Sequence, residues 1–275
     1  MSHQHKQQSG PVAIITGASG GIGEATARAL AQAGYRVFGT SRKTPTRPTP
    51  GVEHVACDVS SDDSVEAAIA EVLAKAGRID LLVNNAGVGL MGAAEESSLE
   101  QARSLFDVNV FGVIRTIKAV LPVMRRQRSG RIVNISSVMG LIPAPYYALY
   151  GATKYALEGY SESLDHEVRD MGIRVVLVEP AYTRTSFESN LIQADQQLDE
   201  YTPARANAQA VMRDVMVNAD SPEVVALAVL KASTAVKPDA RYTAGGFARQ
   251  VSLLRRFVPR SAFDKSLRKQ LRLPA

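Results

Sequence analysis

Tyr150 and Lys154 stand four residues apart in a segment whose apolar spacing predicts a helix over 147–171, so the two side chains share a face. A free phenol ionises near pH ~10, too high for efficient acid/base work around neutrality. An ammonium ~4 Å away, at an effective dielectric of about 20, favours phenolate by roughly 4 kcal/mol, or about three pKa units. The pair therefore predicts a tyrosine that exchanges protons near neutral pH. Tyr146, Tyr147, Tyr155 and Tyr160 crowd the same segment, but four residues beyond them stand Tyr150, Gly151, Gly159 and Leu164. Only Tyr150 has its lysine. The other four read as packing residues, with Tyr146 and Tyr147 the ones placed to border a pocket.

A second chemical signal lies near the N-terminus, where Thr16-Gly17-Ala18-Ser19-Gly20-Gly21-Ile22-Gly23 joins an apolar run to a helical pattern. Glycine lets the backbone turn tightly there and approach a pyrophosphate, while the start of a helix offers unpaired N–H donors and positive potential. The spacing is Gly-x3-Gly-x-Gly, not the Gly-x-Gly-x2-Gly of the commoner dinucleotide fingerprint. Gly17, Ser19, Gly20, Gly21, Ile22 and Gly23 are the expected nucleotide contacts.

Four further features follow in order: Asn84-Asn85-Ala86-Gly87, Asn109 within Val108-Asn109-Val110, Ser136-Ser137, and Tyr150-Gly151-Ala152-Thr153-Lys154. With these the chain resembles the short-chain dehydrogenase/reductase family, in its classical subgroup, from Val12 to about Arg184. Ser137, Tyr150 and Lys154 meet its Ser-x12-Tyr-x3-Lys spacing, whereas Ser136 is turned away by strand alternation. The resemblance implies hydride transfer between a nicotinamide cofactor and a carbonyl/alcohol pair. In it Tyr150 is the acid/base and Ser137 bonds the substrate oxygen as charge develops. Lys154 also holds the nicotinamide ribose, and Asn109 holds a water that links Lys154 to solvent. Asn85, Ala86 and Gly87 join the cofactor contacts. Asp58, with Val59, matches the family's adenine-side aspartate, and the alternative of a helix cap is weakened because Ser60–Ser64 can cap the next helix instead. Pro180, Thr183 and Thr185 would meet the nicotinamide, with Ala181 standing where the family has glycine. Met139, Tyr146, Tyr147 and Tyr182, beside Ser137 and Tyr150, would border the substrate, as would Leu90, Met91, Val138, Leu141 and Phe187. Most of these are apolar, which favours a hydrophobic ketone. A redox-sensing module that binds NADP with little turnover is the alternative, and it has no use for a complete proton relay.

Cofactor choice is read at Ser41-Arg42-Lys43. NAD enzymes place an Asp or Glu there for the ribose 2′-hydroxyl, and none occurs between Glu24 and Glu53. Ser41 takes the discriminating position, and an arginine beside it suits a phosphate dianion. NADP is the expected cofactor.

The elements that must position these residues alternate. Strand patterns fall at 12–16, 36–40, 53–57, 81–84, 131–136, 174–178 and 241–243, with helical patterns at 21–33, 64–76, 99–126, 147–171 and 222–235. This rhythm predicts an α/β chain, a single-domain Rossmann-like doubly wound parallel sheet with helices on both faces over residues 11–245. Residues 182–220 carry no strand pattern and read as a mobile lid of short helices. Residues 1–10 read as a disordered tail.

The 275 residues are 45% hydrophobic and 21% charged, an ordinary globular balance. The lone Cys57 suits a reducing cytosol and reads as a small core residue; His166 reads as a surface residue. One cysteine and four histidines form no metal-ligand cluster. Net charge is +5, yet residues 246–275 hold eight basic residues against Asp264, leaving −2 for residues 1–245. A nucleic-acid partner loses its support, since the excess charge belongs to the tail. There Val251, Leu254, Phe257 and Val258, then Phe263, Leu267 and Leu271 beyond Pro259, predict a basic amphipathic helix pair. It could lie on an anionic membrane or pack on protein. The acidic balance of the body favours packing, on itself or on a second subunit of a homodimer or homotetramer.

Overall fold

The computed structural model describes residues 10–270; of the expected N-terminal tail only Gly10 falls within it, and Leu271 and Arg272 lie outside. The first half runs β1 (Val12–Thr16), α1 (Gly21–Gln32), β2 (Arg36–Ser41), β3 (Val52–Ala56), α2 (Asp62–Ala76), β4 (Leu81–Asn84), β5 (Leu90–Met91), α3 (Leu99–Phe106), α4 (Gly112–Gln127) and β6 (Gly130–Ile135). The second runs α5 (Ala148–Val168), β7 (Ile173–Pro180), β8 (Ile192–Gln193), α6 (Thr202–Met216), α7 (Pro222–Thr234), β9 (Arg241–Ala244), α8 (Gly246–Phe257) and α9 (Arg260–Gln270).

Seven strands form one parallel sheet in the order β3-β2-β1-β4-β6-β7-β9. All five residues of β1 are buried, as expected where helices cover both faces. Alternation divides them. Val12 and Ile14 join Leu82, Ile117, Ile132 and Leu157 under α2, α4 and α5, while Ala13 and Ile15 join Leu30, Val83, Val133 and Val229 under α1 and α7. This is the doubly wound sheet: from β1 the strand order runs outward one way to β2 and β3, and from β4 the other way to β6, β7 and β9. Ligands of such sheets bind at that switch point, beyond the carboxyl ends of the strands.

A buried polar chain fixes the catalytic side of the sheet. Thr116 donates to Asn84 Oδ1 (2.7 Å), Asn84 to Asn134 Oδ1 (2.9 Å), and Asn134 to Ser161 Oγ (2.8 Å). It joins α4, β4, β6 and α5 in one register, and each pairing offsets the cost of burying a polar group.

Two expectations need correction. The helix foreseen over 99–126 is interrupted by a π-helical turn at Asp107–Phe111; one inserted residue slips the helix without erasing its apolar period. The segment 182–220 is not strand-free, because β8 pairs with β5. Nor are its helices all short, since α6 has 15 residues. The segment's two ends are joined where Asp220 N donates to Tyr182 O (3.0 Å) and Arg184 N to Asp220 O (2.9 Å).

Candidate active site

One cavity of about 1210 Å³ opens over the carboxyl ends of β1, β4 and β6. At one end is the glycine turn. Gly17 (φ 67°) and Gly21 (φ 55°) adopt left-handed backbone, and a Cβ on Gly17 would stand 2.9 Å from Ala86 Cα. The N-cap of α1 is Gly20, whose missing side chain leaves the first-turn N–H groups open to the cavity. An uncapped 12-residue helix behind a turn that only glycine fits is a phosphate cradle in form, so the residues present fit a dinucleotide. Ser19, Gly20, Gly21 and Ile22 border the cavity; Gly23 lies behind the turn, where a Cβ would meet Gly17 O at 2.2 Å. Asn85 holds the turn from the side, its amide donating to Thr16 O (2.9 Å) and Gly17 O (3.1 Å).

Ser41, Arg42, Asp58 and Val59 border the next part of the cavity, but Lys43 does not. The Ser41 hydroxyl donates to Lys43 O (2.6 Å), closing a turn that leaves Arg42 as the cation on the cavity wall. Asp58 Oδ1 accepts from Ser60 N (3.0 Å) and Ser60 Oγ (2.6 Å), and these bonds hold its carboxyl below the ordinary carboxylate range. The helix cap of α2 is Ser61. Asp58 is therefore a turn-locked carboxylate on the cavity wall, next to the buried Cys57 thiol, which burial pushes up and keeps protonated.

Ser137, Tyr150 and Lys154 come together at the cavity base. Ser137 Oγ accepts from Met139 N (3.1 Å) and lies in hydrogen-bond reach of the Tyr150 hydroxyl. Lys154 donates to Ile135 O (2.9 Å), and its Nζ stands 5.6 Å from the Tyr150 ring centroid. Here the structure departs from the sequence expectation. Burial raises the phenol above its ordinary value, with only the Ser137 bond opposing, and burial lowers Lys154 to about 8 against the pull of Glu158. The ammonium is spent on a backbone carbonyl and partly desolvated, so it does not bring the phenol to neutrality in the free protein.

Asn109 sits in the π-turn and is buried outside the cavity lining. Its amide accepts from Val88 N (2.9 Å) and donates to Val88 O (2.9 Å) and Thr153 Oγ1 (3.2 Å). The side chain clamps the strand-end loop to the catalytic helix rather than pointing a free polar atom at Lys154. Ala86 and Gly87 of that loop border the cavity, as do Pro180, Thr183 and Thr185 across from it. Ala181 in place of glycine costs nothing, since the positive-φ non-glycine residues are Arg128 and Tyr146.

The substrate side extends past Tyr150. Val138, Met139, Tyr147, Tyr182 and Phe187 border it, with Phe187 5.8 Å from the Tyr150 ring. Tyr146 does not. At φ 67° its ring is turned onto Tyr201 (6.5 Å), and Tyr147 takes the inward place. Leu90 and Met91 are buried in the β5–β8 pair and, like Leu141, stay off the cavity wall. His166 is exposed. Two walls escaped the sequence reading: Val211, Met212, Val215 and Met216 of α6, and Leu254, Val258, Phe263 and Leu267 of the tail. The i, i+4 pairing of Val211 with Val215 and Met212 with Met216 was the available signal.

A family model described as short chain dehydrogenase matches residues 11–196. The chain is 37% identical over 236 residues to a 3-ketodihydrosphingosine reductase of Bacteroides thetaiotaomicron, covering 85% of this chain and 87% of that one. It is 36% identical over 250 residues to retinol dehydrogenase 8 of Bos taurus, covering 83% and 79%. It superposes on a short-chain dehydrogenase from Streptomyces avermitilis with a TM-score of 0.79 and 34% identity, covering 97% and 96%. The chain belongs to the classical short-chain dehydrogenase/reductase family, as an oxidoreductase that acts on a carbonyl/CH–OH pair with NAD(P).

Proposed function

We propose that this protein is a cytosolic, NADPH-dependent reductase of an apolar, long-chain ketone. The observation that carries this is the cavity itself, which runs from Arg42 past Tyr150 into a wall of aliphatic and sulfur side chains on α6 and the tail. A sugar would leave its hydroxyls unpaired against that wall, whereas an alkyl chain gains about 0.8 kcal/mol per buried CH₂. The names of the two relatives, a 3-ketodihydrosphingosine reductase and retinol dehydrogenase 8, support an apolar substrate.

The cofactor, when bound, supplies the gain or loss of hydride. Gly17, Gly20 and Gly21 would let its pyrophosphate reach the first turn of α1, and Asp58 and Val59 would border its adenine. Arg42 would pair with a 2′-phosphate and Lys154 would hold the ribose. Thr185 would meet the carboxamide beside Pro180 and Thr183. In reduction, the Tyr150 phenol gives its proton to the substrate oxygen. The Ser137 hydroxyl, whose oxygen already accepts from Met139 N, is left to donate to the same oxygen. Lys154 then stabilises the phenolate left behind. Such a set, with room beside it for a substrate, has no purpose in a sensor. We further propose a homodimer, through exposed Phe111 at the start of α4 and Tyr155 on α5.

Turnover of a series of 3-keto compounds of rising chain length, with NADPH and with NADH, tests the reading. A charge-assisted contact of roughly 1.5–3 kcal/mol predicts a preference for NADPH of about ten- to a hundredfold, removed in Arg42→Ala. kcat/KM should rise with chain length, and Tyr150→Phe should lose ~10²-fold or more in turnover while still binding cofactor. Equal use of both cofactors in the wild type, or a flat chain-length profile, refutes the corresponding half.

A further inference from the structure

Packing accounts for only the inner face of the C-terminal helices. Ala248 and Val251 of α8 are buried against Val138, and Arg255 Nε donates to Leu141 O (3.1 Å), which holds α8 over the loop that carries Ser137. α9 is tied to α8 through the Arg255 guanidinium, 5.8 Å from the Phe263 ring, and contributes no buried residue. The outer face keeps Phe257 72% exposed and Leu253 about half exposed. Val217, directly after the cavity-lining Met216 of α6, is 73% exposed as well.

Charge is concentrated on the same helices. Residues 246–270 hold seven basic side chains against Asp264, a balance of +6, while residues 1–245 sum to −2. The body therefore has too little acidic excess to neutralise the pair. Arg256 stands 5.5 Å from the Phe257 ring, so a cation and the most exposed aromatic of the pair are offered together. Large apolar side chains interleaved with arginine and lysine, on two short helices at the rim of an apolar cavity, match an interface with negative charge above and hydrocarbon below.

We infer that α8 and α9 dock this protein on an anionic lipid bilayer, with Phe257, Leu253 and Val217 entering the headgroup layer and the mouth of the cavity facing the membrane. No helix among the described residues is long and apolar enough to cross a membrane, so the attachment is peripheral. A sparingly soluble ketone then passes from the bilayer between α6 and the tail to Tyr150 without crossing water. That purpose rests on the long-chain reading above; the docking stands on the surface alone.

The test is co-sedimentation of the full chain with phosphatidylcholine vesicles, with and without ~30% phosphatidylserine, at low salt and at ~1 M salt, where screening acts within about 3 Å. Binding is expected to the anionic vesicles only, and to be lost at high salt. Arg256→Glu with Arg260→Glu, and separately Phe257→Ser, should each weaken it at least ~tenfold, since these side chains lie off the cavity wall. Circular dichroism and turnover of a water-soluble short ketone should stay at the wild-type level. Equal sedimentation with both vesicles, or variants that bind as well as the wild type, overturns the inference. A change of oligomeric mass in the variants would assign the face to a second copy and overturn it too. Because binding is read without turnover, a protein that docks but ignores long-chain ketones refutes the substrate reading and leaves the docking intact.

Discussion

At Tyr150 the free protein keeps its proton. The phenol is raised by burial, and Lys154, itself lowered to about 8, gives its ammonium to Ile135 O. An acid loaded at neutral pH suits reduction, in which the phenol must donate; oxidation needs the same phenol ionised. The sign follows directly. Lys154 carries its charge below about 8 and loses it as pH rises through that value. The kcat/KM for the cofactor, which reports free-enzyme ionisations, should be level near pH ~7 and fall above about 8 in the reductive direction. Oxidation of the matching alcohol should gain nothing over the same range, because losing the Lys154 charge withdraws support from the phenolate it needs. Initial rates between pH ~6 and ~10 would show this, and a reductive profile that climbs through 8 would rule the assignment out. The sequence named the partners, since an i, i+4 spacing survives any packing. It misjudged their electrostatics because desolvation and the Ile135 carbonyl depend on residues far away in the chain.

The strands were legible wherever four or more residues shared a period, from β1 through β9. The two-residue strands β5 and β8 were not, for Leu90–Met91 and Ile192–Gln193 are too short to carry one. Their pairing changes the nature of the 182–220 segment. Glu96, at 0% exposure, accepts from Ala93 N (2.8 Å) and Leu198 N (2.9 Å) and forms an ion pair with Arg205 of α6. Burial alone would raise its carboxyl, but the Arg205 guanidinium and the two backbone N–H groups outweigh that and hold it below its ordinary value. α6 is thus tethered, and the stretch without such a tether is 185–191, from Thr185 on the cavity to Leu191 against Gly89. Hydrogen exchange of the free enzyme should be fast there and slow in α6, with cofactor slowing the former. Arg205→Ala leaves a buried carboxylate unpaired, at a cost of about 3–5 kcal/mol, so α6 should then exchange along with 185–191. Unchanged protection of α6 in that variant would show that the ion pair is not the tether.

For the whole molecule, exposed apolar area falls in two places of different charge. The cationic excess and Phe257 lie on the tail, while Leu99, Phe111 and Tyr155 stand exposed on the adjoining α3, π-turn and α5. Phe111 is 50% exposed although it follows a buried pair, Asn109 and Val110, in a turn whose geometry is set by the Val88 clamp. Among the described residues it belongs to no core cluster, and a second copy would cover its exposed half. The flanking surface is close to neutral, with Arg115 paired to Asp62 and Asp107, so two such faces can meet without like-charge repulsion. Phe111→Glu places a charge at the centre of that contact, and an unpaired carboxylate buried between subunits is strongly unfavourable. Light scattering should find the wild type at twice the chain mass or more and the variant at one chain mass. Because Phe111 is half exposed and lies outside the core clusters of the described residues, the variant's Tm at a concentration where both are monomeric should move by less than about 2 °C. Retention of the wild-type mass by Phe111→Glu would move the interface elsewhere. An unchanged vesicle affinity in the same variant would show that the two exposed faces act independently.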